Sequence, residues 1–384
     1  MRKKTKILSL LIIATMGLVA LAACSKTDTM MPSDEDLGPH PLAFSVTTAN
    51  SDATIGQEEF PSRGLAVTTE MSEPFGIIAY VYDQGAWDPS TATPYGALFN
   101  KEVQYFGDGK WNTVESVNSV ALGKMVRLYA YSPFYDSDEP NGTVVLDSEV
   151  GDAGRPRLTI TVPAAVEEQA DVMYATASYR ENEGDEPVEE IPSATFNTLS
   201  ETGIPMTFRH LMTQIRFETG TISKGVIKRI TLSGINSKAT YTVGNSDIDE
   251  GSLSTPVNYT ITPDFNTKGE TGRDINGDNQ RLMMLPQTLN GVSISMVFDD
   301  GSEHQFTSTT SLDGDVWQPG KIVTYMVSIT SFKKLEVKCV SIQDWNDGGE
   351  VEAGVSDSNI IRPGASVSEW DQQETTEDTK PINE

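Results

Sequence analysis

From residue 41 to residue 345, apolar side chains recur mostly at every second position, in short runs broken by Gly, Pro, Asn and Asp. A period of two is the signature of extended chain, whereas a buried helix face repeats near 3.6. The segment 75–82 is rich in branched and aromatic residues, which suit a pleated sheet. Residues 101–106, 126–131, 143–146 and 158–162 repeat the theme. Beyond residue 205, Thr213, Ile215 and Phe217 alternate, and further strand patterns cover 226–232, 257–261, 280–285, 292–298 and 303–308. Trp317-Gln318-Pro319-Gly320 reads as a turn into 322–329, where Val323, Tyr325, Val327 and Ile329 share a face. The last strand pattern is 335–342, with Leu335, Val337, Cys339 and Ser341 on one side. With no helical repeat of comparable strength, an all-β chain built of β-sandwiches is expected. Its two blocks, 41–204 and 205–346, are each of a size suited to one domain in tandem with the other.

The N-terminus belongs to a different class. Arg2, Lys3, Lys4 and Lys6 precede an apolar run over residues 7–20, then Leu21-Ala22-Ala23-Cys24. A basic head, a short apolar stretch and small residues before a cut describe a secretory signal over 1–23. The run is shorter than the ~20 residues of a membrane-spanning helix. Cys directly after Leu-Ala-Ala resembles the lipobox of a bacterial lipoprotein, in which Cys24 is lipidated; a plain signal with a coincidental Cys is the alternative. Residues 24–40 are polar and read as a tether. At the other end, residues 347–384 are acidic and poor in large apolar side chains, as a flexible tail would be.

The 384 residues carry a formal charge of −27. Such a surface repels nucleic-acid phosphates, so no nucleic acid is expected as a partner. With Cys24 lipidated, Cys339 has no disulfide partner within the chain, and a buried strand thiol is the simplest reading, with a reactive thiol as the alternative. Three scattered histidines, with no HExxH, GxSxG or phosphate-binding loop, assemble no catalytic constellation. Asp274-Ile275-Asn276-Gly277-Asp278 opens like a calcium loop, but its glycine comes too early and position twelve is Leu285. It reads as an acidic turn. No metal, no cofactor and no enzymatic activity are expected.

Several segments together resemble a known family. They are the lipobox; Arg63-Gly64-Leu65-Ala66 ahead of Phe75-Gly76-Ile77-Ile78-Ala79-Tyr80; and Phe208-Arg209-His210-Leu211-Met212-Thr213-Gln214-Ile215-Arg216-Phe217. The most specific are Trp317-Gln318-Pro319-Gly320-Lys321-Ile322-Val323-Thr324-Tyr325 and Val340-Ser341-Ile342-Gln343-Asp344-Trp345. In this order, over residues 1–346, they resemble a Bacteroidia fimbrillin, the subunit of type V pili.

That resemblance implies two transthyretin-like β-sandwich domains, export to the outer membrane as a lipoprotein, and a final place in a fimbrium with a role in adhesion. It also implies an arginine-specific maturation protease that removes the first strand, and other pilus subunits that refill the slot by strand exchange. On this chain the removable strand falls at residues 41–47, with Leu42, Phe44 and Val46 as inward anchors. The cut falls between Arg63 and Gly64. Between Lys26 and Arg63 there is no other Lys or Arg, although an ordinary loop arginine is the plain alternative. The tail departs from a donor-strand pattern, since Ile360 and Ile361 are followed by Pro363-Gly364. A surface-exposed glycan-binding lipoprotein of a nutrient-uptake system shares the lipobox and the sandwich build, and Trp87 with Tyr95 would be its aromatic pair.

Overall fold

The computed structural model describes residues 39–345, apart from 49–70, 72, 108, 183, 184, 186, 278, 279, 303 and 304. In chain order the first ten strands are β1 (Ala43–Thr48), β2 (Phe75–Tyr82), β3 (Phe99–Tyr105), β4 (Trp111–Thr113), β5 (Met125–Ser132), β6 (Val144–Leu146), β7 (Arg157–Thr161), β8 (Met173–Thr176), β9 (Ile191–Pro192) and β10 (Ile204–His210). There follow β11 (Thr213–Thr219), β12 (Val226–Thr242), β13 (Asp249–Ile261), β14 (Phe265–Asn266), β15 (Leu282–Met284), β16 (Gln287–Thr288), β17 (Ser293–Asp299), β18 (Gln305–Ser311), β19 (Val316–Trp317), β20 (Lys321–Ile329) and β21 (Leu335–Asp344). The expected all-β sandwich architecture is the one adopted.

One sheet runs β2-β3-β4-β1-β10-β8-β5, and β5 pairs back onto β2, so the hydrogen bonding closes into a ring; β9 is attached outside it. The ring encloses an apolar core that includes Phe44, Ile77, Leu128, Phe196 and Phe208. A second sheet, β18-β17-β12-β7-β6 with β13 and β14 also on β12, packs against a four-stranded sheet, β15-β11-β20-β21. Side chains such as Ile227, Leu232 and Phe298 from one meet Ile215, Phe217, Val323 and Tyr325 from the other in a second core.

Strands β2 and β5 serve both cores. Ile77 and Ala79 face the ring interior, while Ile78 and Tyr80 join the second core. Leu128 and Ala130 point inward likewise, and Tyr129 and Tyr131 outward. Strands covered on both faces need no polar face, which accounts for the unbroken apolar run in Phe75–Tyr82. Gly76 lies so close to the Tyr131 ring that a Cβ there would sit 2.6 Å from it.

Pairing does not change over at residue 205. Strands β6 and β7 leave the ring to join β12, and the chain then returns to place β8 and β10 in the ring. The sequence also conceals a helix, α1 (Ser193–Thr202). It is rich in Ser and Thr and buries Phe196 against the ring, so its apolar period is faint. Its ends are better marked: Pro192 precedes it, and Gly203, at φ 125°, donates its N–H to Leu199 O at 2.7 Å.

Candidate functional site, a strand between two edges

Strand β1 is held on both sides. It runs parallel to β10, with Phe44 opposite Ile204 and Thr48 opposite Phe208, and antiparallel to β4, with Phe44 opposite Trp111. The residues leading into it are paired as well. His40 and Val117 exchange N–H···O bonds at 3.1 and 2.9 Å, and Thr113 N–H donates to Leu42 O at 3.0 Å. Leu42 N–H in turn donates to Thr113 Oγ1 at 2.9 Å. His40 Nε2 lies 3.0 Å from Ser200 Oγ on α1, and Gly203 brings the turn after α1 against Ser45, where a Cβ would be 3.4 Å away.

The three anchors expected from alternation differ in depth. Leu42 and Phe44 are buried, and Val46 is half-buried against the same cluster. Ser45 and Thr47, between them, face out. Phe44 stands edge-on to Phe75 with centroids 5.6 Å apart, and Phe75 meets Phe208 at 5.0 Å and Trp111 at 5.5 Å. Burying two such side chains stabilises by about 1.5–3 kcal/mol each. Without β1, the facing edges of β4 and β10 would carry unpaired N–H and C=O groups beside an apolar slot, a combination that binds extended chain. Alternation identified the anchors. The wall residues Phe75, Trp111 and Phe208 carried no separate signal, because their meeting depends on long-range pairing.

Cys24, Arg63 and Gly64 lie outside the described residues, as do the tail from 347 and most of the tether. Trp87 and Tyr95 do not form a pair. Trp87 packs on Tyr80 and Tyr82 with the Arg127 guanidinium 4.7 Å from its ring centre, while Tyr95 packs against the ring core. Asn276, in the calcium-like turn, is buried and tied into the sheet edge: its Oδ1 accepts from Phe217 N–H at 2.5 Å and its Nδ2 donates to Gln280 O at 2.6 Å. Asp278 lies outside the described residues. Among the described residues no group of three or more His, Cys, Asp and Glu could hold a metal.

Cys339 sits half-buried opposite Tyr325, and burial, reinforced by the Asp315 charge, pushes its thiol up to about 11. Its neighbours differ from simple alternation. A bulge skips Val340, so Ser341 pairs with Thr324, and Ile342 instead joins Val337 and Cys339 against the core. At the end of β21, Trp345 stacks on His210 with ring centres 4.1 Å apart, and His210 Nδ1 lies 2.6 Å from Asp171 Oδ2. Among the described residues no helix is long and apolar enough to cross a membrane.

The profile of a family described as fimbrillin-like matches residues 66–345. A fimbrial protein from Bacteroides vulgatus aligns over 71% of this chain and 92% of its own, at 18% identity and a TM-score of 0.50, a likeness of fold. A fimbrial assembly protein from Parabacteroides distasonis aligns over 80% and 97%, at 10% identity and a TM-score of 0.41. For the fimbrial anchor protein Mfa2 from Porphyromonas gingivalis the values are 80% and 98%, 12% and 0.34. No curated protein sequence matches.

Proposed function

Because this chain belongs to the fimbrillin-like family, we propose that it is a pilus subunit of the cell surface that assembles by exchanging its first strand for one from a neighbouring subunit. Residues 1–23 direct export, and Cys24 takes the lipid that anchors the precursor to the outer membrane. An arginine-specific protease cuts between Arg63 and Gly64, and the segment carrying β1 is released. A strand of the next subunit then fills the slot between β4 and β10. The ring and the unit built on β12 and β20 act as two domains that interleave in sequence, since β6 and β7 join β12 while β10 lies in the ring, and 347–384 is the flexible tail.

The observation that carries this reading is the placement of Leu42 and Phe44. Both are buried between two strands that belong to the chain downstream of the proposed cut. A single cleavage therefore frees a strand that contributes about 3–6 kcal/mol of apolar burial, and an incoming strand must supply it again. Holding β1 in place until export is complete keeps the slot closed against premature association. The glycan-binding alternative draws no support from Trp87 and Tyr95, which are packed into separate clusters.

The test is Arg63→Ala in the full chain, expressed on its native surface and compared with wild type by intact mass, N-terminal sequencing and gel mobility without boiling. The expected wild-type result is a mature chain starting at Gly64 within high-mass polymers, with the variant retained as a lipidated monomer starting at Cys24. Polymers of uncut wild-type chains would rule out strand release as the assembly step.

A further inference from the structure

Phe332 is the most exposed large apolar side chain among the described residues, at 91%. It stands at the tip of the β20–β21 hairpin, where Thr330 N–H donates to Lys334 O and Lys333 N–H to Thr330 O, both at 2.9 Å. Lys333, at φ 60°, places its Nζ 3.0 Å from Asp300 Oδ2 and 4.9 Å from the centre of the Phe306 ring. These contacts hold the tip so that the Phe332 phenyl group is presented to solvent. Turn positions favour Gly, Pro, Asn, Asp or Ser, and a phenyl group there gains nothing from its own chain.

The same end of the molecule is locally cationic. Lys224 and Lys268 line a cleft with Asp300, the residue that binds Lys333. Both are exposed, as is Lys334, and none of the three has an ion-pair partner among the described residues.

The complement lies towards the other end of β12. Thr161, which pairs with Lys238, lines a groove of about 600 Å³ together with Pro74, Pro133, Phe134 and Pro163. Asp136, Glu139, Glu167 and Glu168 also line it, again without an ion-pair partner among the described residues. Its walls are fixed by backbone and amide bonds: Phe134 N–H donates to Pro74 O at 2.9 Å, and Asn141 Nδ2 donates to Phe134 O at 2.8 Å. Val226 pairs with Asp299, next to Asp300, and lies twelve residues before Lys238 on β12. That is about 40 Å of extended strand, so the tip of a chain is too far from its own groove to fill it.

We infer that the Phe332 hairpin of one copy seats in the groove beside Phe134 of a second copy, with the phenyl group on the apolar lining and the lysines facing the carboxylates. Two different surfaces meet, so each copy keeps one tip and one groove for further neighbours. The like net charge of the copies opposes association, and the local pairing of unlike groups selects this face. The contact uses neither β1 nor Arg63 and stands apart from the strand-exchange reading. One hairpin tip covers less than the ~1,200–2,000 Å² of a stable interface, so the contact is transient and has to be captured covalently.

The test is cross-linking on the native surface between full-length chains that also carry Arg63→Ala, which removes the proposed cut. One copy carries Ser331→Cys beside the tip, the other Ala170→Cys on the groove lining, and a short bismaleimide joins them. The expected result is a cross-linked dimer when both are coexpressed and none with either alone. Phe332→Ser, at an exposed position, should keep the parent Tm and lower the dimer yield about tenfold. Lys334→Glu in the tip copy should act in the same direction, and Glu167→Lys with Glu168→Lys in the groove copy should then restore most of the yield. No dimer in the mixture, or a yield that Phe332→Ser leaves unchanged, overturns the assignment. Binding to phosphatidylglycerol vesicles that Phe332→Ser abolishes, with no cross-link, would give the tip to a lipid surface instead. A link from Ala170→Cys to a different protein would give the groove to another partner. A cross-link formed in the uncut background owes nothing to strand release, so the two readings fail separately.

Discussion

Phe44→Ala tests whether β1 belongs to the cooperative core of the precursor. Phe44 is 3% exposed, stands edge-on to Phe75 and lies opposite Trp111. Removing a buried phenyl ring from such a site costs roughly 3–5 kcal/mol through lost transfer energy and the cavity left behind. The edge-to-face contact accounts for about 0.5–1.5 kcal/mol of that. Against a total stability of about 5–15 kcal/mol, the variant should unfold at a markedly lower urea concentration. Phe208→Ala, on β10 in the same aromatic group, is the internal reference, because β10 lies downstream of the proposed cut. If β1 unfolds together with the ring, both variants lose comparable stability with the wild-type urea dependence. If Phe44→Ala releases β1 before the ring unfolds, its loss is capped at the free energy holding β1, and the slope of stability against urea falls because less surface remains to be exposed. A loss under about 1 kcal/mol at unchanged slope would refute the reasoning, since Phe44 would then contribute nothing by being buried.

Three further outcomes follow from the same structure. The Cys339 thiol, pushed up to about 11, should be about one part in a thousand thiolate at pH 8, so labelling by a disulfide reagent should accelerate at least tenfold in urea, where its pKa is ordinary; equal rates would show the thiol to be open. The raised pKa of Glu218 means that its contribution to stability is present at low pH and lost as pH rises through the folded value; Glu218→Gln should therefore raise the urea midpoint at pH 7 and leave it nearly unchanged at pH 4, and a lower midpoint at pH 7 would contradict this. Trp345→Ala removes a 2%-exposed indole stacked on His210, with an expected loss of about 3–5 kcal/mol by urea titration; a change below about 1 kcal/mol would mean that the end of β21 is not anchored there.

Much of the fold was legible because its strands obey one-face alternation. Val323, Tyr325, Val327 and Ile329 are all buried as their spacing predicts, and Leu42 and Phe44 were identified as anchors on the same ground. What escaped was set by distant partners. The bulge at Val340, which turns Ser341 away from the Cys339 face, follows from the fit of β21 to β20 and has no local marker. Ring closure depends on β2 meeting β5 some fifty residues later, and no periodicity reports that. Helix α1 escaped because Ser and Thr fill half of its positions, although Pro192 and Gly203 bracket it.

The double duty of β2 also limits how relatives of this chain can change in length. Adjacent residues of β2 belong to different cores, Ile77 and Ala79 to one and Ile78 and Tyr80 to the other. Inserting a single residue would exchange the two sets, driving the Tyr80 ring into the enclosed interior and withdrawing its hydroxyl from Gly154 O, 2.8 Å away. Two hydrophobic interiors would be mispacked by one event, and no repacking of either alone would repair it. Insertions and deletions should therefore accumulate in the connections, with β2 and β5 conserved in length even where few of their residues remain the same.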